Sequence, residues 1–346
     1  MIQQTPTTPA AIFNTFHTPA ALPAVDVPFP TTARATDYGT LDAWLGGRRF
    51  GIGASDSAGI FGEGYVGQSE CSVAIDKMGL ADTGPEDCEQ FECGHALQSG
   101  ILELASRRIG CEVINPGNYT IFQSRDFPWL LASLDGACVH DDGPAPVEAK
   151  NVSTFLAKDW DDEENPPLKF QIQCQHQMAV TGHQHAFLVG LIGGNKVRVR
   201  RIARNERFIE QALIPKLDAF WKLVTEGRAA IAAGEAPRLP PVDGSEGTRR
   251  ALAKLYADDN GEEIMLTDPA LVQAAADLAG AKEKIKALEE LEAYAKNQLV
   301  AAIGPASFAV LPNGQRFSYK AQTRTEKPRT LEECKSTTFR VLRLGK

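Results

Sequence analysis

The chain has 346 residues, 36 of them basic and 44 acidic, for a formal charge of −8, with 43% hydrophobic and 23% charged residues. These values fit a globular chain of one or two domains; they exclude a disulfide mini-scaffold and a protein that coats nucleic acid by bulk attraction, though not a local basic site. No stretch approaches the roughly 18–20 apolar residues of a membrane span, and the N-terminus lacks a basic-then-apolar signal, so a cytoplasmic location without membrane contact is expected.

Residues 1–36, rich in Pro, Thr and Ala and without a sustained period, are expected to form a flexible N-terminal arm. In GIGASDSAGI (residues 51–60) a glycine loop runs into a helix, with Ser55 or Asp56 as the N-cap and Arg48 just before it. A helix is expected over residues 91–110, with Leu97, Ile101, Leu102 and Leu104 apolar. LLASLDGACV (residues 130–139) and VEAKNV (residues 147–152) read as two strands joined by a hairpin turn containing Gly143 and Pro144. Period-two alternation then puts Glu148 and Lys150 on one face, beside Asp135.

Two close carboxylates cannot cheaply stay charged without a cation, and hard oxygen ligands with open water positions suit Mg²⁺ or Mn²⁺. A neighbouring lysine would orient or deprotonate a water, or offset charge in a phosphorane-like transition state. The same spacing also occurs in solvated hairpins held by an ordinary salt bridge, and spacing alone leaves both readings open.

Residues 170–194 read as a helix followed by the strand AFLVGLIGG, with Gln173, Gln177 and Val180 on one face of the helix. His176, His183 and His185 lack a third ligand at usual spacing, so no second metal site is assigned. The seven cysteines contain no CxxC pair and are expected as free thiols. Lys196, Arg198, Arg200 and Arg201 lie in alternating positions on a strand, a pattern that serves solubility on an edge strand and, in the nuclease fold that the resemblance given below implies, equally lines a DNA path. Residues 228–264 have linker composition, and residues 265–346 carry a long amphipathic helix, two short strands around Asn313-Gly314 and a closing strand.

The D…ExK pattern between strands resembles the PD-(D/E)xK nuclease superfamily. More narrowly, four ordered blocks (residues 42–62, 91–110, 127–151 and 170–194) resemble the YqaJ-type, lambda-exonuclease-like recombination nucleases. The resemblance implies an α/β core at residues 37–227, a central mixed sheet flanked by helices, with a helical and β tail at residues 265–346. It implies that Asp135, Glu148 and the Ala149 carbonyl hold the metal, that Lys150 activates or steadies the water, and that Gln98 and Gln173 order the metal waters. By the same resemblance Arg48 and Ser55 hold a 5′-terminal phosphate. Gln98 stands where relatives carry glutamate, one negative charge less, so weaker divalent-ion binding, or one ion in place of two, is expected.

The implied activity is Mg²⁺-dependent exonuclease action on linear double-stranded DNA ends, 5′→3′, leaving single strands for phage-type recombination. A homo-oligomer, a trimer in form, a single-strand annealing partner and a phage or prophage origin in a bacterial host are implied with it. An endonuclease of the same fold, a catalytically weakened DNA-binding or assembly protein, and plain core packing of the four blocks stay open as alternatives.

Overall fold

The computed structural model describes residues 22–65, 67–83, 89–258, 261–325 and 336–344, in two units, Met1–Asp259 and Asn260–Lys346. In chain order the first unit holds β1 (Arg34–Asp37), α1 (Leu41–Arg48), α2 (Ala54–Ile60), α3 (Glu70–Met78), α4 (Glu89–Ile109), β2 (Val113–Ile114), β3 (Thr120–Gln123) and β4 (Leu131–Ala132). It continues through β5 (Gly136–His140), β6 (Gly143–Val152), a 3-10 segment at Thr154–Trp160, α5 (Leu168–Thr181), β7 (His185–Ile192) and β8 (Lys196–Ala203). A short α6 (Glu206–Phe208), a π turn at Ile209–Leu213, α7 (Ile214–Ala232) and α8 (Glu246–Leu255) complete it.

The central sheet has five strands in the order β2-β5-β6-β7-β8, with β6 and β7 parallel and the other neighbours antiparallel. This is the mixed, helix-flanked sheet expected from the sequence. Its two faces are covered by different helices. Ile101, Leu102 and Ala105 of α4 pack on Val147, Phe187 and Val189, while Cys174 and Met178 of α5 pack on Ala186 and Leu188. Strand β7 is therefore buried at every position and reads as one apolar run.

Two features of the β5–β6 region differ from the sequence reading. The single strand expected over residues 130–139 is two strands in different sheets: β4 pairs with β3 beside β1, and β5 joins the central sheet. Asp135 lies in the short connection between them. Gly136, directly after it, permits the tight packing here, since a Cβ would meet Val113 Cγ1 at 2.8 Å and Leu102 Cδ2 at 2.9 Å. Second, Pro144 lies within β6 rather than in the turn, as does Pro146. Both pair only with β5, because the β7 ladder starts at Val147, so their missing N–H groups leave no ladder bond unmade. Gly143, at φ +108°, closes the turn.

Part of the region expected as an arm is docked. Phe29 is buried in the core, the Thr32 N–H donates to the Thr181 carbonyl (3.0 Å), and His183 Nε2 bonds the Pro30 carbonyl (2.8 Å). Residues 1–21 of that arm lie outside the described residues. The stretch 228–264, expected as a linker, includes the last turn of α7 and all of α8, where Thr248 Oγ1 donates to Ser69 Oγ at 2.9 Å. Small residues in this stretch serve packing: a Cβ on Gly247 would lie 2.8 Å from the Gln68 carbonyl carbon.

The second unit holds α9 (Pro269–Ile303), capped by Asp268 and ended at Gly304, and an antiparallel sheet of β9 (Phe308–Val310), β10 (Arg316–Thr325) and β11 (Ser336–Leu344). Gly314, at φ +83°, supplies the expected turn between β9 and β10.

Candidate active site

Strand alternation places Val147 and Ala149 against α4 and turns Glu148 and Lys150 to the other face. Glu148 is 2% exposed, and Lys150 Nζ forms an ion pair with its Oε1. The β5–β6 ladder ends at Gly136 paired with Val147, two residues short of Ala149. In place of a β5 carbonyl, Asp135 Oδ2 accepts the Ala149 N–H at 2.9 Å. Asp135 is thus drawn to Ala149, between Glu148 and Lys150, by a bond that extends the sheet.

The electrostatics follow from this crowding. Burial and the charge of Glu148 push the Asp135 carboxyl above the usual carboxylate range, against the pull of Lys150 and the Ala149 N–H. Burial alone would lower the Lys150 ammonium, but Glu148, Tyr65 and Asp135 outweigh it and hold the group upward, so Lys150 is a cation at neutral pH. Its Nζ also lies 5.2 Å from the Phe170 ring centroid and 5.8 Å from that of Tyr65.

Three glutamine amides fix the carboxylates. Gln98 Nε2 donates to Asp135 Oδ1 (3.1 Å), Gln173 Nε2 to Glu148 Oε1 (2.6 Å) and Gln177 Nε2 to Glu148 Oε2 (2.5 Å). Gln98 and Gln173 therefore meet the acids through their amide N–H groups. Gln177 was legible only as a residue sharing a helical face with Gln173; its grip on Glu148 depends on how α5 docks on β6. Its Oε1 is buried and has no hydrogen-bond partner among the described residues. The acids near Gln98 point elsewhere: Glu103 pairs with Arg107 on the surface, and Glu92 is exposed.

Arg48 and Ser55 line the same cleft as Asp135, Glu148, Lys150 and Gln173, although they lie far earlier in the chain. Arg48 Nη2 donates to Ser55 Oγ at 3.1 Å, and its guanidinium carbon sits 4.8 Å from the Trp44 ring centroid. The N-cap of α2 is neither Ser55 nor Asp56, as expected, but Gly53; Asp56 reaches back to accept the Gly53 N–H at 2.9 Å, leaving the Ser55 hydroxyl for Arg48. Behind this loop Lys77, 2% exposed, pairs with Asp56 Oδ2 at 2.9 Å and donates to the Arg48 carbonyl at 2.9 Å. Burial opposes ionisation of Asp56, but Lys77 and Arg48 prevail and lower its carboxyl below the usual range. Lys77 carried no signal in the sequence, because nothing local ties α3 to the start of α2.

The histidines are placed structurally. His176 is fully buried between Ser57 Oγ (2.5 Å) and the Leu131 carbonyl (2.8 Å), and His185 packs edge-on against Phe187. Of the β8 cations, Arg200 is buried on the Trp160 carbonyl and Arg201 pairs with Asp142, so Arg200 is withdrawn from any DNA path. Cys71, Cys93, Cys111, Cys138 and Cys174 are free thiols; Cys88 and Cys334 lie outside the described residues.

The residues present suit one hard divalent ion. Asp135 and Glu148 repel each other, and Lys150 offsets part of that charge. The N–H and C=O of one strand residue point to the same edge, so the Ala149 carbonyl faces the edge β5 has left. Two carboxylates and that carbonyl form an all-oxygen donor set, with Gln98 adding no charge.

Residues 43–184 match the family model of the YqaJ-like viral recombinase domain. The chain is 28% identical over 277 residues to an uncharacterized protein, YqaJ, of Bacillus subtilis (strain 168), covering 79% of this chain and 82% of that one. Among solved structures, an alkaline exonuclease (LHK-Exo) from Laribacter hongkongensis, alone and in complex with dAMP, superposes with a TM-score of 0.47 at 19% identity, over 56% of this chain and 96% of that chain.

Proposed function

Because residues 43–184 match the family model of the YqaJ-like viral recombinase domain, we propose that this chain is a DNA exonuclease that degrades linear duplex ends, 5′→3′, using Mg²⁺ or Mn²⁺. One observation supports the reading: Arg48 and Ser55 line a single cleft with Asp135, Glu148 and Lys150. A protein that only packed these motifs into its core would have no reason to turn them toward one cavity.

Asp135, Glu148 and the Ala149 carbonyl would hold the divalent ion, which supplies Lewis-acid polarisation of a scissile phosphate and a more acidic water. Lys150, a cation braced by Glu148, offsets the negative charge that builds on the phosphorus oxygens and orients the attacking water. Gln173 and Gln177 keep Glu148 in one rotamer, and Gln98 does the same for Asp135. Arg48, flattened on Trp44 and bonded to Ser55, presents a planar fork to a terminal phosphate.

The proposal carries with it a homo-oligomer, an annealing protein that takes up the exposed strand, and a bacterial cytoplasm hosting a phage or prophage. No helix among the described residues is long and apolar enough to cross a membrane. The deciding experiment incubates the purified chain with end-labelled linear duplex and with closed circular DNA, with and without Mg²⁺. Release of nucleotides from linear DNA alone, and only with metal, is expected. Cutting of circles would make it an endonuclease, and no metal-dependent release would leave a DNA-binding protein.

A further inference from the structure

The charge of this chain is unevenly distributed. Residues 305–346 hold nine basic and three acidic residues, whereas the rest of the chain holds 27 basic and 41 acidic ones. Such a basic excess in a short segment of an acidic protein marks attraction to a polyanion. The cations of β10 are not edge protection, because β10 is the central strand of its sheet, between β9 and β11.

Their arrangement says which polyanion. Alternation puts Arg316, Ser318 and Lys320 on one face of β10, and the β9 ladder sets Val310 opposite Arg316 and Phe308 opposite Ser318, so these five residues share that face. Phe308 is 38% exposed and Val310 66%, and both cations are exposed. The Arg316 guanidinium carbon lies 3.8 Å from the Phe308 ring centroid, and Lys320 Nζ lies 4.4 Å from it. Among the described residues neither cation has a carboxylate partner, unlike Lys296 of α9, which pairs with Glu292. On its other side, β10 has Arg343 of β11 opposite Ser318. A ring open to solvent and flanked by unpaired cations suits a strand whose bases are free: the ring stacks a base and the cations take the phosphates beside it. Duplex DNA keeps its bases stacked on one another and offers Phe308 no such face.

We infer that the β9–β10–β11 sheet is a binding surface for single-stranded DNA, with Phe308 stacking a base and Arg316 and Lys320 holding neighbouring phosphates. The choice of DNA over RNA rests on the proposed exonuclease action, which leaves such a strand. The surface itself does not rest on it, since the sheet lies outside the unit that holds the cleft.

The test titrates the full chain, in EDTA, against fluorescent DNA circles, single-stranded or duplex, and against a circular RNA strand of the same sequence; circles offer the cleft no end. The single-stranded DNA circle should bind about tenfold or more tightly than the duplex circle. Phe308→Leu, which keeps an apolar side chain but loses the flat ring, should weaken that binding by about tenfold, and Phe308→Trp should retain it. Arg316→Gln with Lys320→Gln should flatten the slope of log Kd against log salt concentration by about 1.4, the value for two phosphates of a single strand. Circular dichroism of each variant should match wild type. Equal affinity for the two DNA circles, wild-type binding by Phe308→Leu, or an unchanged salt slope would each overturn the inference, and tighter binding of the RNA circle would overturn the assignment to DNA. Absence of metal-dependent cleavage with these affinities intact would overturn the nuclease reading and leave the surface standing.

Discussion

The Asp135 carboxylate accepts the backbone N–H of Ala149 at 2.9 Å, where the next backbone acceptor of β5 would have stood had the strand continued. One side chain is therefore both a piece of the sheet and a proposed metal ligand, and substitutions can separate the two roles. Asp135→Asn keeps an acceptor for the Ala149 N–H and loses the charge. It should unfold within a degree or two of wild type and lose nuclease activity by about 100-fold or more. Asp135→Ala leaves a strand N–H without its partner, and should also cost about 1–3 kcal/mol in denaturant unfolding. Equal stability of the two variants would show that this bond contributes nothing.

Gln98→Glu tests the missing charge. The substitution replaces an N–H donor 3.1 Å from Asp135 with a third carboxylate. Without metal the repulsion lowers the melting temperature; with Mg²⁺ the larger negative charge binds the ion more tightly. The expected result is a lower metal midpoint together with a larger metal-induced gain in thermal stability. An unchanged midpoint would place residue 98 beyond the ion's reach.

Gln177→Leu removes one of two amides holding Glu148 and leaves the metal-ligand set intact. Divalent-ion affinity, read by calorimetry without DNA, should fall by about 10-fold, the effect of losing a supporting contact behind a ligand. Affinity equal to wild type would mean that Gln173 and Lys150 suffice.

Arg48 owes its geometry to Trp44, Ser55 and the buried Lys77–Asp56 pair. On matched duplexes with a 5′-phosphate or a 5′-hydroxyl, wild type should prefer the phosphate and Arg48→Ala should not. Arg48→Lys should fail to rescue, because an ammonium presents neither a fork nor a flat face to Trp44. Retained preference in Arg48→Ala would remove this residue from end recognition.

His176 sets an acid limit on the fold. Burial drives its imidazole from 6.5 down to about 4, against the opposing pull of the Leu131 carbonyl and Asp56. The folded value lies below the unfolded one. Its stability is fully present above about pH 6.5, and as pH falls toward 4 the unfolded chain takes up a proton that the native ring refuses. The loss amounts to about 3 kcal/mol by pH 4. Denaturant unfolding from pH 8 to 4 should show this slope, and His176→Gln should flatten it; an equal slope in the variant would assign the acid loss to other groups.

The short-range order of this protein is written in its sequence. Alternation puts Glu148 and Lys150 on one face, helical spacing puts Gln173 and Gln177 on another, and the recurrence of apolar residues along α9 marks a long amphipathic helix, because each pattern depends only on the rise and twist of one element. What the sequence could not carry was which elements meet. The division of residues 130–139 between two sheets, the pairing of Lys77 with Asp56, the docking of Phe29, and the placing of α8 on α3 are contacts between distant segments. Each is decided by packing whole faces together and by satisfying buried charges and N–H groups, which are properties of the assembled core and not of any local stretch.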